Sequence, residues 1–228
     1  MTLNGFNNLN YMKHLPIFLL TLMLGSVILG CSPFTSWERT VIEKSDSLMY
    51  VTVIQDDSAI LRTPSTDIPK RAFKSEELHA LIAKMLYTVT DPSQDGVGIA
   101  APQVGINRRI VCVRRLDKAG APFESYVNIK LDSLYGNIVT GPEGCLSVPP
   151  MRGMVPRYSS VTISYADLET GETIHETVDG FTAIIFQHEV DHLDGILYID
   201  RADTVYTDQA WAAERQSFTY NHPEWWKE

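Results

Sequence analysis

The spacing of apolar positions changes character several times along the 228 residues. Leu15 to Leu29 is an uncharged apolar stretch, shorter than the ~20 residues of a membrane span and matching a secretory h-region. Ser32 to Leu48 is mostly polar and reads as a tether. Met49 to Ile54 alternates like a strand. Leu78, Leu81, Ile82, Met85 and Leu86 then recur at helical spacing after a Ser-Glu-Glu start, predicting a helix over Ser75–Val89. Strand-like runs follow at 109–115, 125–131, 161–166 and 173–178. Phe181, Ile184, Ile185, His188 and His192 share one helical stripe, with Asp179 as N-cap and Gly195 as stop. Asp208 to Phe218 predicts a short final helix.

Helices segregated among antiparallel-looking strands define an α+β fold, with mostly antiparallel sheets around a central helix that carries Gln187–Leu193. The ~190 residues after the leader suit one core. The expected organisation is a leader over 1–30, a tether over 31–48 and a single domain over 49–228. Repeats and low-complexity tracts are absent, and Gly96-x-Gly98 lacks the third glycine of a dinucleotide fingerprint.

The chemistry concentrates in Gln187–Leu193, Q-H-E-V-D-H-L. On a helix His188 and His192, four residues apart, share a face and can converge on one metal ion. Glu189 stands beside the first imidazole, where a carboxylate can take a proton from metal-bound water. Alone, H-E-x-x-H is of moderate specificity and also fits two histidines that simply face solvent on a helix. The shared stripe strengthens it, since two unpartnered histidines turned inward would cost desolvation energy. A third ligand is needed. Cys145 is a candidate: it sits in Glu143-Gly144-Cys145-Leu146-Ser147, after a Gly-Pro turn and before Val148-Pro149-Pro150. A free Cys is more often a small buried hydrophobe, but a Gly before it and prolines after it specify a fixed backbone path.

Three segments, Gly96-Val97-Gly98-Ile99-Ala100-Ala101-Pro102-Gln103, Glu143-Gly144-Cys145-Leu146-Ser147 and Gln187-His188-Glu189-Val190-Asp191-His192, are similar in order and spacing to the signature motifs of the peptide deformylase family. The resemblance runs from about Val51 to Arg201 and includes Ile60-Leu61-Arg62, which looks like the family's N-terminal strand-and-turn. It implies hydrolysis of the formyl group of N-formylmethionyl peptides, releasing formate. Carried over by position, Cys145, His188 and His192 are metal ligands, Glu189 is the general base, and Gln103 with the Leu146 N–H holds the oxyanion. Gly96, Val97 and Gly98 pair with the substrate backbone. Ile99, Leu146, Ile184 and Ile185 are candidates for the methionine pocket, although each also fits plain core packing. Glu143 and Arg152 are expected to form an ion pair bracing the Cys145 loop, although a solvated surface position fits both as well. The resemblance implies Fe2+, whereas one thiolate with two imidazoles also suits Zn2+. The sequence departs from the family at Ile99, at Ile129 after Asn128, and in a longer loop at Thr90–Asp95.

The leader changes the expected location. It ends in Ile28-Leu29-Gly30-Cys31, which resembles a bacterial lipoprotein cleavage site with Cys31 lipidated. Met1–Tyr11 carries no positive charge, so Met12-Lys13-His14 is a better signal start. Anchoring on the outer side of the cytoplasmic membrane is therefore expected; a cytoplasmic enzyme is the alternative. Losing residues 1–30 removes one Lys and no acid, moving the formal charge from −9 to −10. Such a chain offers no footprint for nucleic acid, and its acidic tail, with Trp225-Trp226, does not favour ribosome docking. With Cys31 and Cys145 assigned, Cys112 stands alone and no disulfide framework remains. A monomeric hydrolase is expected. An envelope metallopeptidase of other specificity, or a retired deformylase scaffold with a binding role, are the competing readings.

Overall fold

Thr35 opens the first helix: its Oγ1 accepts from the Glu38 N–H, and the Glu38 carboxylate accepts from the Thr35 N–H. The computed structural model describes residues 32–55, 57–94 and 96–210. Cys31 with the leader, and nearly all of the helix expected at 208–218, lie outside the described residues. In chain order the elements are α1 (Ser36–Lys44), α2 (Ser58–Arg62), α3 (Glu76–Thr90), β1 (Gly98–Ala100), β2 (Ile110–Arg114), β3 (Phe123–Gly144), β4 (Met151–Ala166), β5 (Thr173–Asp179), α4 (Gly180–Leu193) and β6 (Thr204–Thr207), with three short 3-10 turns between them.

The tether expected over 31–48 is, from Ser32 on, part of the fold. Phe34, Val41, Ile42 and Met49 are buried in one cluster with Leu78, Leu81, Ile82 and Met85 of α3. The polar residues that suggested a linker are paired inward. Arg108 donates to both Glu38 oxygens at 2.6 and 2.9 Å and to the Pro33 carbonyl at 2.8 Å. Lys84 Nζ donates to the Ile42 and Ser45 carbonyls at the end of α1. Two further readings are corrected. Ile60-Leu61-Arg62 is helical, in α2, where the Asp57 side chain accepts from the Ile60 N–H. Met49–Ile54 is no regular strand; it bridges two loops, with Thr52 N–H donating to Gln103 O at 2.7 Å and Ile54 N–H to Ser147 O at 2.8 Å.

One six-stranded antiparallel sheet carries the order β1-β2-β3-β4-β5, with β6 added to β4. Strands β3 and β4 make a long ribbon from Val127↔Ala166 to Gly144↔Arg152, with three register shifts. Its outer half extends well beyond the expected runs at 125–131 and 161–166. There β3 is exposed on both faces, with Leu134, Tyr135, Ile138 and Val139 all open to solvent. The in–out alternation that announces a half-buried strand is therefore missing.

Helix α4 is buried on nearly every side, so no single apolar stripe describes it. Ala183, Ile185, Phe186, Val190 and Leu193 pack on Val111, Val113, Tyr126, Val161 and Ile163 of the sheet. Its position along β4 is pinned by Gln187. That side-chain amide donates to Tyr158 O at 2.7 Å and accepts from Tyr158 N–H at 3.0 Å, acting as a neighbouring strand would. The helix stops at Asp194. Gly195 follows with φ +75°, and a Cβ there would lie 2.8 Å from the Arg62 carbonyl carbon, so both conformation and space require glycine. Among the described residues, no helix is long and apolar enough to cross a membrane.

Candidate active site

Two elements meet at the site: α4, carrying His188, Glu189 and His192, and the loop after β3, carrying Cys145. Cys145 Sγ and one ring nitrogen each from His188 and His192 lie within 4.8 Å of one another. Sγ stands 3.1 Å from His192 Nε2. The sulfur also receives the Ser147 N–H at 3.4 Å. Burial would lower the pKa of His188, but its bonds with Cys145 and Glu143 outweigh this and raise it. Burial, together with the charge on His188, lowers that of His192. The three donor atoms thus face one another across a space that a divalent cation could take, displacing protons from its ligands. His192 Nδ1 and Glu189 Oε2 are buried with no hydrogen-bond partner among the described residues. A soft thiolate with two neutral-capable imidazoles fits one transition-metal ion.

His188 is aimed by its other nitrogen. Nδ1 lies 2.7 Å from Glu143 Oε2. Arg157 donates to both Glu143 oxygens at 2.7 and 3.1 Å, and through its third nitrogen to Asp191 at 2.6 Å. Arg201 closes the row with two bonds to Asp191, at 2.6 and 2.7 Å. Burial alone would raise Glu143; its bonds with His188 and Arg157 win and hold it at about 2. The expected partner of Glu143 was Arg152, which instead pairs with Asp208 at 3.0 Å. Arg157 is the residue buried beside Glu143, directly across the strand pairing from Val139. Tyr198 stacks on His188 at 6.0 Å between ring centroids and donates its hydroxyl to Met151 O. The sequence reading gave no role to Gln187, Asp191 or Tyr198. The only signal was polar or aromatic residues inside otherwise apolar runs.

Glu189 and Gln103 face the same space. Burial pushes Glu189 up to about 7, with His188 opposing and the Glu143 charge adding to the rise. Gly98 makes room for it: a Cβ there would lie 2.8 Å from Glu189 Cδ. Gln103 sits in a 3-10 turn at Ala101–Val104. Its Oε1 accepts from the Ala100 N–H at 2.8 Å, which leaves Nε2 directed at Cys145 Sγ (3.5 Å) and Ser147 Oγ (3.2 Å). A cleft of about 400 Å³ opens over these groups. Gly96, Val97, Gly98, Gln103, Cys145, Leu146, Ile184, Ile185, His188 and Glu189 line it, as does Phe181. Ile99 does not; it is fully buried in the core below α3, because its side chain points to the opposite face of β1 from the cleft. Phe181, expected inside, is 56% exposed at the cleft mouth. Cys112 is packed in β2, its thiol pushed up by burial and by Glu189, and takes no part.

Helix-borne histidines, a loop cysteine and a buried carboxylate on an antiparallel sheet together make a site of the metal-binding class, with the groups that metal-assisted hydrolysis uses. The family described as Polypeptide deformylase matches residues 50–207, and the chain belongs to it. A peptide deformylase from Symbiobacterium thermophilum is 40% identical over 144 residues, covering 62% of this chain and 65% of that protein. One from Desulforudis audaxviator is 36% identical, covering 64% of this chain and 94% of its own. The structure is similar, with TM-score 0.60 and 36% identity, to a Met-Ala-Ser-bound class I type b peptide deformylase from Acinetobacter baumannii, over 68% of this chain and 98% of that one.

Proposed function

We propose that the chain hydrolyses the formyl amide of N-formylmethionyl peptides, releasing formate and a free amine, with Cys145, His188 and His192 holding one divalent ion. The observation that supports this best is the convergence of those three donors, Glu189 and the Gln103 amide on one cleft beside the open edge of β1. A divalent ion in this donor set supplies Lewis acidity, bringing the pKa of water down to about 7. Glu189 removes a proton from the attacking water and delivers it to the nitrogen as the C–N bond breaks. Gln103 Nε2, fixed by its Oε1 anchor, and the Leu146 N–H hold the negative oxygen that forms on the formyl carbon.

Among the described residues β1 pairs only with β2, which leaves Gly98 and the Gly96–Val97 segment leading into it available to an extended peptide. Leu146, Ile184 and Ile185 form the apolar wall that takes the methionine side chain. The ion is Fe2+ by family kinship or Zn2+ by donor preference; elemental analysis after anaerobic purification separates them. Release of formate from formyl-Met-Ala, with acetyl-Met-Ala and unblocked Met-Ala untouched, is the expected result. Hydrolysis of peptide bonds in the unblocked peptide would instead make the chain a broader peptidase.

The leader carries a separate proposal, that Cys31 is the lipidated first residue of an envelope enzyme, on the strength of Ile28-Leu29-Gly30-Cys31. Radiolabelled acyl chain on the wild-type but not the Cys31→Ser protein, in the membrane fraction, is expected. Unlabelled protein in the cytoplasm would overturn it.

A further inference from the structure

Tyr198 touches both halves of the donor set. It opens the 3-10 turn at Tyr198–Asp200, which Asp200 fixes by accepting from the Leu197 N–H at 2.9 Å and from the Arg62 guanidinium at 3.1 Å. The side chain is buried, in one cluster with Cys145, Val148 and Val155, and its hydroxyl donates to Met151 O at 2.7 Å. Met151 begins β4, directly after the loop that carries Cys145. Two backbone bonds lead from it back to the sulfur-bearing residue. Met151 N–H donates to Val148 O at 3.1 Å, and Val148 N–H to Cys145 O at 3.0 Å. The hydroxyl therefore holds one end of a bonded path whose other end is Cys145.

The ring acts on the other half. It lies nearly parallel to His188, with 18° between the two planes. Gly153 of β4 makes room for it, since a Cβ there would stand 3.0 Å from Tyr198 Cε2. Glu143 holds the imidazole at one edge, through Nδ1, and a single bond at an edge leaves tilt about that bond free. An aromatic face laid parallel to the imidazole removes this freedom. Resting on the reading of Cys145, His188 and His192 as metal ligands, we propose that Tyr198 is a positioning residue for the ion. Its hydroxyl sets the place of the Cys145 loop and its ring sets the tilt of His188.

The test titrates the metal-free full-length protein with Co2+, for wild type, Tyr198→Phe and Tyr198→Leu, and follows the d–d and thiolate-to-cobalt bands. Tyr198→Phe keeps the ring and loses the hydroxyl. Its affinity for Co2+ should fall by about 3- to 10-fold, the worth of one net hydrogen bond, with the thiolate band shifted. Tyr198→Leu loses both, and the fall should reach about 10- to 100-fold, as for other groups that orient a ligating His. A role in packing alone would lower the unfolding midpoint and leave affinity and bands at wild-type values. That result in Tyr198→Phe would overturn the proposal, as would a leucine variant that binds as well as the phenylalanine one. If Tyr198→Leu does not fold, Tyr198→Phe decides. Absence of Co2+ binding by wild type, or bands with no thiolate contribution, would sink the metal-ligand reading itself.

Discussion

Glu143 Oε2 sits 2.7 Å from His188 Nδ1, and that contact fixes which imidazole nitrogen faces Cys145. Glu143 belongs to the end of β3 and His188 to the middle of α4, so one bond ties the two halves of the donor set together.

Replacing Glu143 by Ala frees the His188 ring and takes from buried Arg157 one of its two carboxylate partners, leaving Asp191. Metal affinity should fall by about 10- to 100-fold, the usual cost of losing an outer hydrogen bond on a ligating His. Competition with a chelator measures it. Unchanged affinity would remove Glu143 from the role of orienting group.

Glu189→Gln keeps the side chain's size and removes the base. Turnover should drop by ~10²–10⁴, with metal content intact. In the parent enzyme burial puts Glu189 at about 7. Its basic form is lost as pH falls, so kcat/KM should decline on the acid side from about that value. A bound cation favours the carboxylate and moves this limb to lower pH. A profile flat down to pH 4 would contradict the assignment.

Gly98→Ala places a methyl group against the Glu189 carboxylate. A displacement of ~1 Å at a reacting group can cost ~10²-fold, so kcat should fall by that order while the metal stays bound. Full activity in the alanine variant would show that Glu189 moves aside without consequence.

Arg115 is almost wholly buried and donates to Asp117, Glu124, Glu176 and the Tyr126 hydroxyl. Arg115→Ala removes the buried cation that three carboxylates share, of which Glu124 and Glu176 keep Lys118 at 2.8 and 3.7 Å, and should destabilise by ~3–5 kcal/mol, read from denaturant unfolding. Asp117 is held at about 2 by its bond with Arg115. Its folded pKa is depressed, so its contribution is complete above the ordinary value of ~3.9 and disappears as pH falls toward 2.

Phe34 is 2% exposed beneath Arg108. Phe34→Ala should cost ~3–5 kcal/mol if residues 32–48 belong to the core. A tether would give no change in the same melt.

The chemistry was more legible in the sequence than the scaffold. His188, His192 and Glu189 could be named from their spacing and Cys145 as a candidate ligand, while Gln103 came from the resemblance to the family's motifs; the structure brings all five together. Helix α3 and the inner strand segments were legible because each buries one face. Helix α1 was not: only three of its nine residues are buried, one of them the charged Glu38, so its pattern resembles a linker. The outer half of β3 hid for the opposite reason, apolar residues standing in solvent. The Glu143 partner was misread because Arg152 is nearer in sequence, whereas strand pairing and burial select Arg157. Ile99 looked like pocket because sequence cannot say which face of a three-residue strand is open.

The row Arg201–Asp191–Arg157–Glu143 alternates in sign, two cations against two anions, and ends on His188. As a whole it is electrically neutral. It therefore works as a strut that sets the direction of a ring, with Glu143 and Arg157 acting in opposite senses on the neighbouring Glu189. Within the donor set only Cys145 brings a negative charge. Aim and donor charge thus come from different parts of the chain, the ring's direction from the β3–α4 row and the thiol from the loop after β3.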